Sequence, residues 1–216
     1  MQKYLVEFIG TFFLVLVICL TGGNYLAPLA IGSMLMVMVY FGGHISGAHY
    51  NPAVTLALLI RGKIDVKDSL IYMVFQILGS LAAAYLFYLV WGRNVGGPRP
   101  NADINVLKAL AVEIVFTFAL TSVVLAVATS KKTAGNNYYG LAIGFTVMAC
   151  AIAGGGISGG AFNPAVGIGP ILIDTIFGTC PCNPIGNLWI YLVGPFTGAA
   201  VAAFVYRFIN PEEFAG

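Results

Sequence analysis

Long apolar runs alternate along the chain with short polar or glycine-rich breaks. Runs of about 17 to 25 residues, the length that carries a helix across a hydrocarbon core, fall at 4–20, 26–41, 70–91, 107–129, 138–153 and 188–209. They predict six membrane-spanning helices. Two further apolar pieces, 51–60 and 163–173, have about half the length of a span, as expected of re-entrant segments. Each opens with Asn-Pro. Proline fits a first helical turn, where its missing N–H would be unpaired anyway, and asparagine is a strong N-cap, so short helices are expected to begin at Asn51 and Asn163.

The two halves repeat. Residues 42–54 (GGHISGAHYNPAV) align without a gap on 154–166 (GGGISGGAFNPAV), with nine of 13 positions identical. The match reaches the leading helices, where Val6, Glu7, Thr11 and Phe12 echo Val112, Glu113, Thr117 and Phe118, and the trailing ones, where Ile71-Tyr72 echoes Ile190-Tyr191. The chain reads as one domain, 1–216, with repeat one at about 1–92 and repeat two at about 104–212. Three spans and a half-helix per repeat force the second repeat to insert upside down, an inverted 3+3 arrangement that brings the two Asn-Pro ends together near the midplane. A helix N-terminus carries unpaired N–H groups and roughly half a positive charge, so two such ends facing a narrow lumen repel cations. Side-chain amides of Asn51 and Asn163 would offer donors, and the glycine-rich stretches before them would leave carbonyls free to line the path. Donors at the centre with acceptors on either side suit a small neutral solute.

Composition agrees with a lipid-embedded chain. Of 216 residues, 59% are hydrophobic and 8% charged, far below the quarter or so of a soluble domain. Ten Lys and Arg against eight Asp and Glu are too few and too scattered for a nucleic-acid surface, and so apolar a chain is not disordered. With the N-terminus inside, Lys3, Arg61, Lys63, Lys67, Lys131, Lys132 and Arg207 fall on the cytoplasmic side and only Arg93, Arg99 and Lys108 outside. We therefore expect an integral protein of the plasma (inner) membrane with both termini cytoplasmic. No small-residue cleavage signature follows the N-terminus, so no removable signal peptide is expected.

On these residues the sequence resembles the aquaporins and aquaglyceroporins, the major intrinsic protein family, along essentially its whole length. HISGAHYNPAVT at 44–55 and GISGGAFNPAV at 156–166 are similar to that family's paired signature loops. The resemblance implies an all-α bundle of six transmembrane helices and two half-helices, a homotetramer with one pore per subunit, no cofactor, and passive flow of water or small uncharged solutes. It places Asn51, Pro52, Ala53, Asn163, Pro164 and Ala165 at the pore centre, with a carbonyl ladder from Gly47, Ala48 and His49 and from Gly159, Gly160 and Ala161. It maps the outer selectivity filter to Ile31, Ala151, Gly160 and Val166. Here the chain departs from the pattern, because the position of Val166 is usually arginine in the family. Without that side chain the filter loses a narrowing, a set of donors and a positive barrier. The expectation is a permissive filter open to water and to glycerol, urea, ammonia or hydrogen peroxide, with cation and proton exclusion left to the half-helix dipoles. An alternative is a strict water channel in which another group, such as an aromatic from the outer loop, fills the space.

Glu7 and Glu113 are ionisable residues inside spans, which demands a reason. One is proton relay; the other, which the resemblance implies, is that each carboxylate accepts hydrogen bonds from irregular re-entrant backbone. His44 and His49 have no thiol or carboxylate at ligand spacing, so no metal site is expected. Gly79 and Gly198, with the alanines of 82–84 and 199–203, read as small faces for close helix packing. Cys19 and Cys150 sit in apolar runs as small packing residues, while Cys180 and Cys182 could form a strained local disulfide or remain thiols. A secondary transporter also uses inverted repeats, but no acidic residue flanks either half-helix start in sequence to bind a driving ion. Catalysis is not expected: Ser46 and Ser158 have no acid near them in sequence, and both histidines lie in one loop.

Overall fold

The computed structural model describes residues 1–92, 94–179 and 184–214. Arg93, Cys180 and Cys182, and with them the question of a local disulfide, lie outside the described residues. Among the described residues eight α-helices follow in order: α1 (Gln2–Thr21), α2 (Ala27–Ser46), α3 (Pro52–Ile60), α4 (Val66–Trp91), α5 (Val106–Thr129), α6 (Tyr139–Ser158), α7 (Pro164–Phe177) and α8 (Leu188–Ile209). All but α3 and α7 are apolar and long enough to span a membrane. The outward faces are apolar too, with Phe208 86% and Ile152 67% exposed, as expected of surfaces that meet lipid.

Bundle contacts are made through small residues. A Cβ on Gly32 of α2 would lie 2.6 Å from the Gly144 carbonyl of α6, so the two backbones touch where the halves cross. A Cβ on Gly198 of α8 would sit 2.9 Å from the Phe118 nitrogen of α5, and one on Gly79 of α4 would sit 3.2 Å from the Phe12 nitrogen of α1. Ala83, Ala84, Ala199 and Ala202 are fully buried along the same faces. Each half thus packs its first long helix against its last through one glycine face, and since α1 starts at the bundle end where α5 finishes, the halves stand in an inverted 3+3 arrangement.

Ionic contacts gather both termini at one end of the bundle. Lys3 and Tyr4 bond Asp68, the latter at 2.7 Å. Arg61, after α3, donates to Glu213 at 2.5 Å, and Lys132, after α5, pairs with Glu212 at 2.6 Å. We call this the terminal end. The opposite end carries the α1–α2 connection and the described parts of the α4–α5 and α7–α8 connections.

α4 begins at Val66, ahead of the expected 70, and three helices run well past the C-terminal ends that the hydrophobic pattern predicts. α2 and α6 continue to Ser46 and Ser158, through the glycines read as loop. Those glycines make room for rings instead of breaking the helix: the Tyr50 ring fills the place of a Gly42 side chain, and a Cβ on Gly154 would lie 2.7 Å from the Phe116 ring. α7 continues to Phe177, past the expected end at 173 and through Pro170. Its last turn is closed by the Gly178 N–H on the Asp174 carbonyl at 3.0 Å.

Candidate functional site

The two signature loops, 47–51 and 159–163, adopt the same backbone. Gly47 and Gly159 end their helices at φ 85° and 91°, the next pair, Ala48 and Gly160, lies at 51° and 66°, and Tyr50 and Phe162 lie at 51° and 49°. Ala48, Tyr50 and Phe162 are non-glycine residues in the left-handed region, where each costs about 1–3 kcal/mol unless the surroundings hold it.

The holding groups are the buried carboxylates. Glu7 accepts the backbone N–H of His49 at 3.0 Å and of Tyr50 at 2.7 Å, the Ser46 hydroxyl at 2.7 Å and the Gln76 amide at 2.7 Å. Glu113 accepts the N–H of Ala161 at 3.0 Å and of Phe162 at 2.7 Å, and the Ser158 hydroxyl at 2.7 Å. Both oxygens of each acid are accepting, which satisfies loop donors that have no water at membrane depth. Although no acid flanks Asn51 or Asn163 in sequence, the fold brings one behind each loop with its oxygens already engaged. Tyr72 and Tyr191 complete the frame by donating to the carbonyls of Ser46 at 2.8 Å and Ser158 at 2.5 Å.

Asn51 and Asn163 join the loops. Each side-chain oxygen caps its own half-helix, accepting from Ala53 N–H and Ala165 N–H at 2.9 Å. Each side-chain nitrogen crosses to the other loop, Asn51 donating to the Phe162 carbonyl and Asn163 to the Tyr50 carbonyl, both at 2.9 Å. An amide nitrogen carries two hydrogens, so one N–H of each remains after these bonds. Among the described residues no donor reaches the carbonyls of Gly47, Ala48, His49, Gly159, Gly160 or Ala161.

A cavity of about 540 Å³ surrounds this junction. Asn51, Asn163, Ala48, His49, Gly159, Gly160 and Ala161 border it, as do Ile31, Ala151 and Val166, all expected from sequence. Gly47, Pro52, Ala53, Pro164 and Ala165 do not; Ala53 and Ala165 are fully buried behind the asparagines, and Ser80 donates to the Ala165 carbonyl at 2.6 Å. His44 is exposed and away from the cavity, whereas His49 bonds Thr55 at 3.0 Å through its ring and stacks edge-on with Tyr72. No Asp, Glu, Lys or Arg lines the cavity among the described residues, and none of their His, Cys, Asp and Glu side chains form a group of three that could hold a metal. Sequence reasoning did not find Asn24 and Tyr25 from the α1–α2 connection, or Gly96, Gly97 and Pro98 from the α4–α5 connection, which border the mouth. Gly-Gly-Pro signals a turn but says nothing of where that turn docks.

These features define an integral membrane protein with an uncharged, hydrogen-bonding cavity where two half-helices meet. Residues 1–206 match the family described as Major intrinsic protein, and the chain belongs to that family. It is 35% identical to Glycerol uptake facilitator protein-like 6 of Lactiplantibacillus plantarum, covering 99% of this chain and all of the relative. Against Aquaporin NIP1-1 of Zea mays it is 34% identical, covering 97% of this chain and 75% of the relative. The X-ray structure of the aquaglyceroporin from Plasmodium falciparum superposes with a TM-score of 0.85 at 24% identity, covering 99% of this chain and 98% of that one, a likeness of fold.

Proposed function

We propose that the protein is a passive channel for water and small uncharged solutes, with Asn51 and Asn163 as its central donors and a wide outer filter at Ile31, Ala151, Gly160 and Val166. The carrying observation is the pair of cross-bonded asparagine amides in a cavity that no Asp, Glu, Lys or Arg lines among the described residues. A solute exchanges water for the free amide N–H groups and loop carbonyls, while an ion finds no compensating charge and meets the positive ends of α3 and α7. In this reading the terminal end is cytoplasmic, the protein resides in the plasma (inner) membrane, and it assembles as a homotetramer. Named relatives of both kinds, an aquaporin and a glycerol uptake facilitator, are consistent with it.

One observation favours a second reading, a water channel whose missing arginine is compensated. Val166 is only 3% exposed and shares an apolar cluster with Val95 of the α4–α5 connection, so part of the vacated space is covered. Stopped-flow light scattering on proteoliposomes separates the two. Fast shrinkage in an impermeant osmolyte with fast re-swelling in glycerol or urea supports the wide filter; fast shrinkage alone supports compensation. Val166→Arg should narrow the range of solutes while water still passes, and unchanged relative rates would refute the filter assignment.

A further inference from the structure

Asp174, near the end of α7, is 8% exposed, and none of the ion pairs among the described residues includes it. A buried carboxylate is costly unless a cation or hydrogen-bond donors hold it. Among the described residues its donors are three successive backbone N–H groups of the α4–α5 connection: Val95 at 2.6 Å on one oxygen, and Gly96 at 2.9 Å and Gly97 at 3.2 Å on the other. The same connection is fastened at its other end, where Asn101 donates its backbone N–H to the Ile157 carbonyl at 3.0 Å and its side-chain amide to the Gly156 carbonyl at 3.2 Å. Residues 95–101 thus form a strap pinned on α7 at one side and on the last turn of α6 at the other.

Between its pins the strap lies close against both elements. A Cβ on Gly97 would stand 3.0 Å from the Ile171 side chain, and one on Gly159 would stand 2.6 Å from the Arg99 nitrogen. Val95 packs into the cluster that holds Val166, while Gly96, Gly97 and Pro98 border the cavity beside Val166 and Pro170. The strap therefore forms one wall of the cavity that Val166 also borders, against Pro170 and Ile171. Gly-Gly brings main chain with no side chain to that wall, so its position, and not a protruding group, decides how wide the opening is.

We propose that Asp174 is the positioning residue of this strap and that, through it, Asp174 sets the size of solute the channel admits. The proposal rests on the channel reading above. Asp174→Asn keeps the shape but replaces one accepting oxygen by an N–H₂ group that faces backbone donors, releasing the strap. The test compares water permeability with re-swelling in glycerol, erythritol and xylitol, using the full-length protein in proteoliposomes. Asp174→Asn should raise the glycerol-to-water permeability ratio by about threefold or more and extend uptake to a longer polyol. Asn101→Ala, which removes the side-chain bond of the exposed pin and leaves its backbone bond to Ile157, should shift both in the same direction by less, and it keeps the test available if Asp174→Asn fails to assemble. An unchanged ratio and cut-off in the assembled variants would overturn the proposal, and so would loss of water and solute flux in equal proportion, since that marks a purely structural role. A wild-type protein that passes neither water nor glycerol would instead overturn the channel reading.

Discussion

Replacing Glu113 by glutamine preserves the shape of the side chain and removes half of its accepting capacity. One carboxylate oxygen accepts both the Ser158 hydroxyl and the Ala161 N–H, and the other accepts Phe162 N–H at 2.7 Å. The best glutamine rotamer keeps its oxygen on the doubly used side and turns its N–H₂ group toward Phe162, placing donor against donor. Losing a charge-assisted bond to a buried N–H costs about 1.5–3 kcal/mol, and the two surviving bonds weaken as the charge disappears. The total is about 2–4 kcal/mol of native stability. Phe162, at φ 49°, also loses a group that holds it, and its carbonyl is the acceptor for Asn51. We therefore expect a lowered midpoint of thermal unfolding in detergent together with reduced water permeability per protein in proteoliposomes. A Glu113→Gln protein matching the wild type in both would show that the acid is not an ionised acceptor in the native state, and the reasoning about both carboxylates would fail.

Asn163→Asp replaces the N–H donated to the Tyr50 carbonyl by an oxygen facing that carbonyl and puts a negative charge between the half-helix ends. Water flux should fall and cation conductance should appear in planar bilayers; a variant with wild-type flux and no cation current would count against Asn163 as a central donor. At the terminal end, the Ser130 hydroxyl foremost, with Tyr206 and Arg61, holds the Glu213 carboxyl below its ordinary value of 4.5, against the opposing effect of burial. A depressed folded value means that docking of the C-terminal segment is complete above pH 4.5 and is lost as the pH falls through that lower value. A nitroxide at position 212 should gain mobility only below pH 4.5, and Glu213→Gln should remove the step; mobility that changes near neutral pH would contradict the assignment.

Much of the architecture was legible because lipid imposes a length on each apolar run and because Asn-Pro marks a helix start with two independent local reasons. The asparagines could be placed opposite each other from the repeat alone. What sequence did not reveal depends on contacts between residues far apart in the chain. Glycines at 42 and 154 read as breaks, yet they continue helices because a ring from elsewhere occupies their side-chain space. The apolar segment reads as ending at 173, before Asp174, but α7 continues to Phe177 and carries Asp174 to the strap. Nothing local in Asp174 or in Gly96-Gly97-Pro98 announces that pairing. The same holds for Arg61, whose partner Glu213 lies 152 residues away.

The crossed asparagine bonds have a consequence for how the chain is made. During synthesis the first half enters the membrane before residue 163 exists, so the Asn51 side-chain N–H has no Phe162 carbonyl and the Tyr50 carbonyl has no Asn163 amide. The half-made protein must leave these groups to water or to passing partners, while the strained turn at Tyr50 is held by first-half groups, Glu7 on its N–H and the Met38 carbonyl on its hydroxyl. Arrival of the second half closes both bonds in one event, which makes insertion of α7 the step at which two separately threaded hairpins become a single folded unit.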